Sequence, residues 1–328
     1  MTIDEIAETA KVSKTTVSRV LNDKPDVSIR TRERVQKIIE QYGYQPNAGA
    51  RAMVQRRVNN VGLIIPYEVD QAFMNPLDVE ILRGICSFLE TRRYYLVMCY
   101  PRENNYYDLY RQKRVDGFLL LDPCQDHHKL VESLLKEEIP FVTTTKLIGF
   151  EQAVSVSTNN YRGSRSATEY LLDKGHQRIA FICKKHYMSS VDRLKGFRDA
   201  MEARNIEVRS EFLCMGEMAT AEDGYRLALK LLAASDRPTA IFAACDILAI
   251  GVMRACHEKN LRIPEDVAVV GFDDLTLLDC ISPALTTVHQ PAFEIGRLAA
   301  EKLIDYIESE KLPESSVLDA RLVVRDST

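Results

Sequence analysis

The chain has 328 residues, 46% of them hydrophobic and 27% charged, which fits a globular protein of two or three domains and excludes a disordered or fibrous chain. No apolar run nears the roughly 20 residues of a membrane span, and the polar opening MTIDEIAET is unlike a secretory signal, so a cytoplasmic protein without a membrane partner is expected. The net charge of −4 is uneven: residues 1–57 carry 11 Lys/Arg against 7 Asp/Glu and the remainder 32 against 40, a pattern that points to a local nucleic-acid contact and not a whole-surface one.

Three short helices fit the first 45 residues. TIDE reads as a capping box in which Thr2 caps a helix with Glu5 at its third position, leaving Ile3, Ile6, Ala7 and Ala10 on one face. Ser13 caps a second helix that turns Val17, Val20 and Leu21 inward. Ser28 caps a third, with Val35, Ile38, Ile39 and Tyr42 inward and Gly43 as its stop. Only AKVS separates the first two helices, the joint of a helix-turn-helix. A helix from Lys14 to Asn22 leaves Lys14, Thr15, Ser18, Arg19 and Asn22 facing out. That is the set a major-groove helix needs: Arg pairs with guanine, Thr and Ser meet base edges or thymine methyls, and Lys and hydroxyls hold phosphates.

Residues 46–60, PNAGARAMVQRRVNN within the linker, are too polar to own a core. A segment as short as 47–54 falls below the ~12–15 residues an isolated helix needs, and Gly49 adds a penalty of about 1 kcal/mol, so any helix there is expected only when DNA and a partner hold it. From Val61 short apolar runs alternate with helical stretches. VGLII, YYLVMC, DGFLLL, PFVTTT and AVSVS read as strands, with helices around 77–91, 126–137 and 161–174. RIAFIC, TAIFAA and VAVVGF repeat the scheme with helices near 191–204, 221–233 and 246–259. Such alternation implies parallel sheets covered on both faces, in two lobes divided near residue 160. The late helix AFEIGRLAAEKLIDYIES and the last strand RLVVR fit either lobe.

The same alternation hosts many enzymes, yet enzyme fingerprints are missing. There is no GxG, no GxxxxGK[ST] and no GxSxG, and the adjacent His127 and His128 cannot share a helix face as metal ligands. The eight cysteines form no CxxC and suit free thiols, so neither a metal, a cofactor nor a catalytic residue is expected.

The segment TIDEIAETAKVSKTTVSRVLNDKPDVSIRTRERVQKIIEQYGYQPN closely resembles the DNA-binding head of lactose-repressor-type (LacI/GalR family) transcription regulators. The similarity continues through RVDGFLLL, YLLDKGHQRIAFI, DRLKGFRDAM, VAVVGFDD, SPALTTVHQP and LVVRDST. The resemblance implies a helix-turn-helix head (1–45), a hinge (46–60) and a two-lobed α/β body like a periplasmic sugar-binding protein (61–328). The first lobe would hold about 61–159 plus 289–318 and the second about 160–288 plus 319–328, with three crossings between them. It implies a homodimer on a pseudo-palindromic double-stranded DNA operator. Lys14, Thr15 and Arg19 would read bases; Thr16, Ser18 and Asn22 would line the groove; Thr2, Ser13 and Asn47 would hold the backbone. Ala50 and Met53 would form a minor-groove wedge, Met53 standing where the family usually has Leu.

In the interlobe cleft the resemblance assigns Arg193 and Asp273 to a small-molecule effector, a pair suited to a sugar or sugar derivative because Arg donates and Asp accepts. Cys245 and Asp246 stand where the family often has Asn-Asp, and a cleft aromatic of some members falls near Ala219. Tyr67 and Phe73 are candidate replacement walls. The expected function is a ligand-responsive regulator, a repressor of a carbohydrate uptake or catabolism operon. The alternatives are control by a phosphorylated carrier protein or a non-sugar ligand, and a non-regulatory ligand-binding protein.

Overall fold

The predicted caps form. In the computed structural model, which describes residues 2–21, 24–44, 57–65, 75–99, 106–124, 127–185 and 187–328, the chain divides into the units Met1–Val58 and Asn59–Thr328. In the first, α1 (Ile3–Thr9) begins with the full capping box: the Glu5 amide donates to Thr2 Oγ1 at 3.3 Å and the Thr2 amide to Glu5 Oε2 at 2.8 Å. The Thr16 amide donates to Ser13 Oγ at 3.1 Å, fixing the start of α2 (Lys14–Leu21). The Thr31 amide donates to Ser28 Oγ at 3.3 Å at the head of α3 (Ile29–Tyr42), and Gly43, at φ 58°, ends that helix in the left-handed conformation glycine adopts most easily.

Ile6, Ala7, Ala10, Val17, Val20 and Val35 are buried between the three helices, with Ile3, Leu21, Ile38 and Ile39 packed at the margin. Tyr42 departs from its expected inward position and is 51% exposed. Ile39, in the same last turn of α3, packs on the core, and Tyr44, beyond Gly43, does so in place of Tyr42. Asn22, Asn47, Ala50, Met53, Tyr67 and Phe73 lie outside the described residues.

The second unit carries two larger sheets, parallel but for one edge strand, and a two-stranded parallel pair. The first runs β2 (Tyr95–Cys99), β1 (Asn60–Ile64), β3 (Phe118–Leu120), β4 (Phe141–Thr143). The strand expected in AVSVS is shorter and later: a bridge from Thr143 to Ser155 leads into β5 (Val156–Thr158), which pairs in parallel with β11 (Ser316–Leu318). The second sheet runs β12 (Arg321–Val323), β10 (Thr286–His289), β9 (Ala268–Asp273), β8 (Ala240–Ala243), β6 (Ile179–Lys184), β7 (Leu213–Gly216), with β12 antiparallel at the edge. Continuous apolar strands suit sheets buried on both faces, and the twofold alternation divides them. Val61, Leu63 and Ile65 enter one core while Ile64 enters the other; Ala180 and Ile182 oppose Ile179, Phe181 and Cys183.

Eight helices cover these sheets within the described residues, the first seven being α4 (Pro76–Arg92), α5 (Tyr106–Arg111) and α6 (His128–Lys136), then α7 (Asn160–Asp173), α8 (Met188–Ala203), α9 (Ala221–Leu232) and α10 (Asp246–Glu258). The late helix, α11 (Ala292–Ser309), packs on the first-sheet core, whereas β12 joins the second sheet, so the two return to different lobes. The chain therefore passes between the sheets at residues 158–160, 289–292 and 318–321. The contact of α4 with α11 is close enough to require glycine: a Cβ on Gly84 would stand 1.9 Å from the Phe293 carbonyl oxygen, and one on Gly296 1.9 Å from that of Ile81. Among the described residues no helix is long and apolar enough to cross a membrane.

Candidate functional site

The helix-turn-helix presents the outward set its sequence predicts, save Asn22, which lies outside the described residues. Val17 and Val20 bury one face of α2, which leaves Lys14, Thr15 and Arg19 exposed and Thr16 and Ser18 half-buried. Two candidate DNA-backbone groups already serve the fold: Thr2 Oγ1 and Ser13 Oγ accept helix-start amides, and the Ser13 and Thr16 hydroxyls lie 2.9 Å apart. Each hydroxyl keeps further hydrogen-bonding capacity for a phosphate. Lys14 Nζ lies 3.0 Å from Asp4 Oδ2, and Arg19 Nη1 lies 3.2 Å from Asp26 Oδ2.

A cavity in the second unit lies where the carboxyl ends of strands from both sheets face helix starts, the usual ligand position in open α/β sheets. Strand ends supply Asp122, Lys184, Cys245 and Asp273; helix starts supply Asp78 and Asn160. Arg193, on α8, is 6% exposed and held from several sides. Its Nε donates to Asn160 Oδ1 at 2.8 Å, its Nη1 donates to the Ala244 carbonyl and lies 3.6 Å from Asp273 Oδ1, and its guanidinium sits 3.6 Å from the Phe272 ring centre.

Asp273 ends β9 at φ 129°, a strained backbone for a non-glycine residue of the kind that gathers at functional sites. Its Oδ1 accepts from Gln290 Nε2 at 2.6 Å, and Gln290 Oε1 accepts from the Thr158 hydroxyl at 2.8 Å. Its Oδ2 is buried with no hydrogen-bond partner among the described residues. Burial holds the Asp273 carboxyl well above its ordinary range, and the Arg193 guanidinium opposes that rise. An unsatisfied buried oxygen costs about 1–3 kcal/mol, which a ligand hydroxyl donating to it would offset.

Asp246 does not belong to the cavity, contrary to its sequence assignment. It is fully buried: its Oδ2 accepts from the Leu275 amide at 3.0 Å and its Oδ1 from the Thr287 hydroxyl at 2.5 Å. These contacts turn the carboxylate toward β10 and the turn after β9, where it braces the sheet. Burial still raises it to about 6, against the hydrogen bonds that lower it. Cys245, its neighbour, does line the cavity, and burial pushes its thiol up to about 12, so it acts there as a small neutral wall. Ala219 also lines the cavity; the aromatic ring there is Tyr187, 3.7 Å from Lys184 Nζ.

The sequence did not single out Asp78, Asp122, Lys184, Asn160 or Gln290. Asp78 is 2% exposed, and burial followed by the neighbouring Asp122 raises it to about 8, with Lys184 opposing. Its position hides it: after the N-cap Asn75 and Pro76, an acid in the first turn reads as helix capping. Gln290 follows β10 in TTVHQP, a segment whose sequence gives no cue that its amide spans two sheets. His127 Nδ1 meets the Cys124 amide at 3.1 Å, and the His128 ring packs edge-on against Phe150. Among the described residues no group of three or more His, Cys, Asp or Glu is placed to hold a metal.

Comparison with known proteins connects head and body. Residues 2–47 match the bacterial regulatory proteins of the lacI family, and residues 168–328 match a periplasmic binding protein-like domain. Catabolite control protein A of Priestia megaterium is 32% identical, the alignment covering 100% of this chain and 99% of that protein. A complex of the transcriptional regulator CelR with cellobiose superposes with a TM-score of 0.77 at 33% identity, covering 100% of both chains. The lac repressor dimer bound to operator and the anti-inducer ONPF superposes with a TM-score of 0.86 at 26% identity, over 100% of this chain and 99% of that one. With a capped helix-turn-helix, a two-sheet body around a polar cavity and likeness to relatives along its whole length, the chain belongs to the lacI family of bacterial regulatory proteins, the DNA-binding transcription regulators.

Proposed function

We propose that this protein is a ligand-responsive repressor of a carbohydrate uptake or catabolism operon, acting in the cytoplasm as a homodimer and catalysing no reaction. Lys14, Thr15 and Arg19 read bases from α2; Thr16, Ser18 and Asn22 line the groove; Thr2, Ser13 and Asn47 hold phosphates. Ala50 and Met53 enter the minor groove from the hinge. Two heads on one dimer read two half-sites, so the operator is a pseudo-palindrome. The solved lac repressor dimer on its operator supports this assembly.

The observation that carries the ligand assignment is Asp273 Oδ2, a buried acceptor without a partner among the described residues, at the wall of the cavity. Arg193 beside it is already committed to protein groups, so the free valence asks for a donor from outside. A polyhydroxylated molecule provides donors of that kind, and the CelR–cellobiose complex supports a saccharide. Binding shifts the body between two states and changes operator affinity through the hinge. Moving occupancy from 99:1 to 1:99 requires the ligand to prefer one state by about 5.5 kcal/mol.

Calorimetry of the full chain with a panel of mono- and disaccharides, alongside a phosphorylated carrier protein, tests the assignment. A saccharide should bind wild type, alter operator affinity, and fail to bind Asp273→Asn. Response to the carrier protein alone, with no saccharide bound, would replace the small-molecule reading.

A further inference from the structure

The recognition helix offers solvent two cations, and each meets an acid supplied by the same head. Lys14 Nζ lies 3.0 Å from Asp4, on α1, and Arg19 Nη1 lies 3.2 Å from Asp26, in the turn before α3. Both partners of each pair are more than half exposed, so the pairs contribute little to folding. The backbone beside Asp26 is nevertheless anchored. The Lys24 amide donates to the Arg19 carbonyl at 3.0 Å, and the Lys24 carbonyl accepts from Arg32 Nη2 at 2.5 Å. Asp26 therefore sits on a turn tied to Arg19 and to α3.

A free arginine on a DNA-facing helix samples many rotamers and meets any phosphate. One held by a carboxylate presents its planar fork in a single direction and loses less freedom when it docks on a base edge. The carboxylate also repels every phosphate alike, so it weakens binding to all sequences. Only a guanine in register, offering O6 and N7 to both arms of the fork, offsets that repulsion.

We propose that Asp26 is a specificity-determining positioning residue: it orients the Arg19 guanidinium toward base edges and suppresses its use as a general phosphate clamp. The proposal rests on the base-reading role given to Arg19 above. The test is a double-mutant cycle in the full chain with Arg19→Ala and Asp26→Asn. Fluorescence anisotropy would follow binding to the selected operator, to its single-base variants and to a random duplex of equal length. Asp26→Asn should tighten random-duplex binding by about two- to tenfold, because one repulsive charge is removed. It should also lower the preference at one base pair by about tenfold. In the Arg19→Ala background it should still tighten random binding but change no base preference, and Asp26→Glu should retain most of the discrimination.

With Arg19 intact, equal changes on operator and random duplex caused by Asp26→Asn would overturn the role of Asp26 while leaving that of Arg19 intact. Arg19→Ala without effect on any base preference would overturn both.

Discussion

Gln290 links the two sheets of the body through one amide: its Nε2 donates to Asp273 Oδ1 at 2.6 Å while its Oε1 accepts from the Thr158 hydroxyl at 2.8 Å. Thr158 ends β5 and Asp273 ends β9, so the amide sits at a crossing between lobes and fixes one oxygen of the carboxylate proposed to grip the ligand. Gln290→Ala removes that donor and leaves a second Asp273 oxygen poorly satisfied. Hydrogen bonds to charged groups contribute about 1.5–3 kcal/mol, so saccharide affinity should fall roughly ten- to a hundredfold. Calorimetric titration with the saccharide identified for wild type checks this; an unchanged dissociation constant would mean that Gln290 plays no part in shaping the site.

Asp78 should make stability depend on pH in a direction opposite to that of most paired carboxylates. Burial and the neighbouring Asp122 raise it from an ordinary 3.8 to about 8. Between those values the folded chain binds the proton and the unfolded chain does not, so stability is greatest at low pH and falls as pH rises through the window. The slope reaches about 1.4 kcal/mol per pH unit. Asp78→Asn removes this group's titration, so from about pH 5.5 to 8 the variant should gain on wild type by about 3 kcal/mol. Calorimetric scans of both proteins across that range give the comparison, and parallel curves would rule out a buried neutral Asp78.

The capping box at Thr2 predicts a loss confined to the head. Thr2→Ala leaves the Glu5 amide without the acceptor now 3.3 Å away and frees the Glu5 side chain from its return bond. N-cap replacements of this kind cost about 0.5–2 kcal/mol. Hydrogen exchange on the full chain should show faster exchange at α1 amides and unchanged protection in β6 and β9. Equal protection at α1 in both proteins would show the box to be dispensable.

Much of this architecture was legible because local chemistry and tertiary packing agree. Thr2, Ser13, Ser28 and Gly43 end helices by hydrogen bonds and backbone geometry that involve only their near neighbours, so their positions could be read directly. The apolar strands were equally plain, since burial on both faces leaves an unbroken hydrophobic run. Tyr42 misled because periodicity marks a face and not the depth of burial along it: Tyr42 is half exposed while Ile39 and Tyr44 pack on the core. Strands β7, β10 and β11 are three or four residues long, too short to show a period. In the cavity, Arg193, Asp273 and Asp246 were all assigned through resemblance, Asp246 as the second residue of the family's Asn-Asp pair. Its actual partners, Leu275 and Thr287, are 29 and 41 residues away in sequence, and no local pattern encodes such a contact.

Close helix approach carries the last prediction. At Gly84 a new Cβ would stand 1.9 Å from the Phe293 carbonyl oxygen and 2.8 Å from the Arg297 amide nitrogen, both backbone atoms of α11. No rotamer change relieves a clash with backbone, so Gly84→Ala must push α4 and α11 apart. That separation loosens the packing of Ile81, Ile85 and Ile295, all buried in the first-sheet core. Overpacking of this kind costs about 1–3 kcal/mol, which outweighs the ~1 kcal/mol an alanine gains over glycine in a helix interior. The same helix starts with Asp78 at the cavity wall, so displacement of α4 should also weaken saccharide binding. Thermal unfolding and calorimetric titration of Gly84→Ala measure the two effects, and a variant as stable as wild type would show that the helices tolerate a wider spacing.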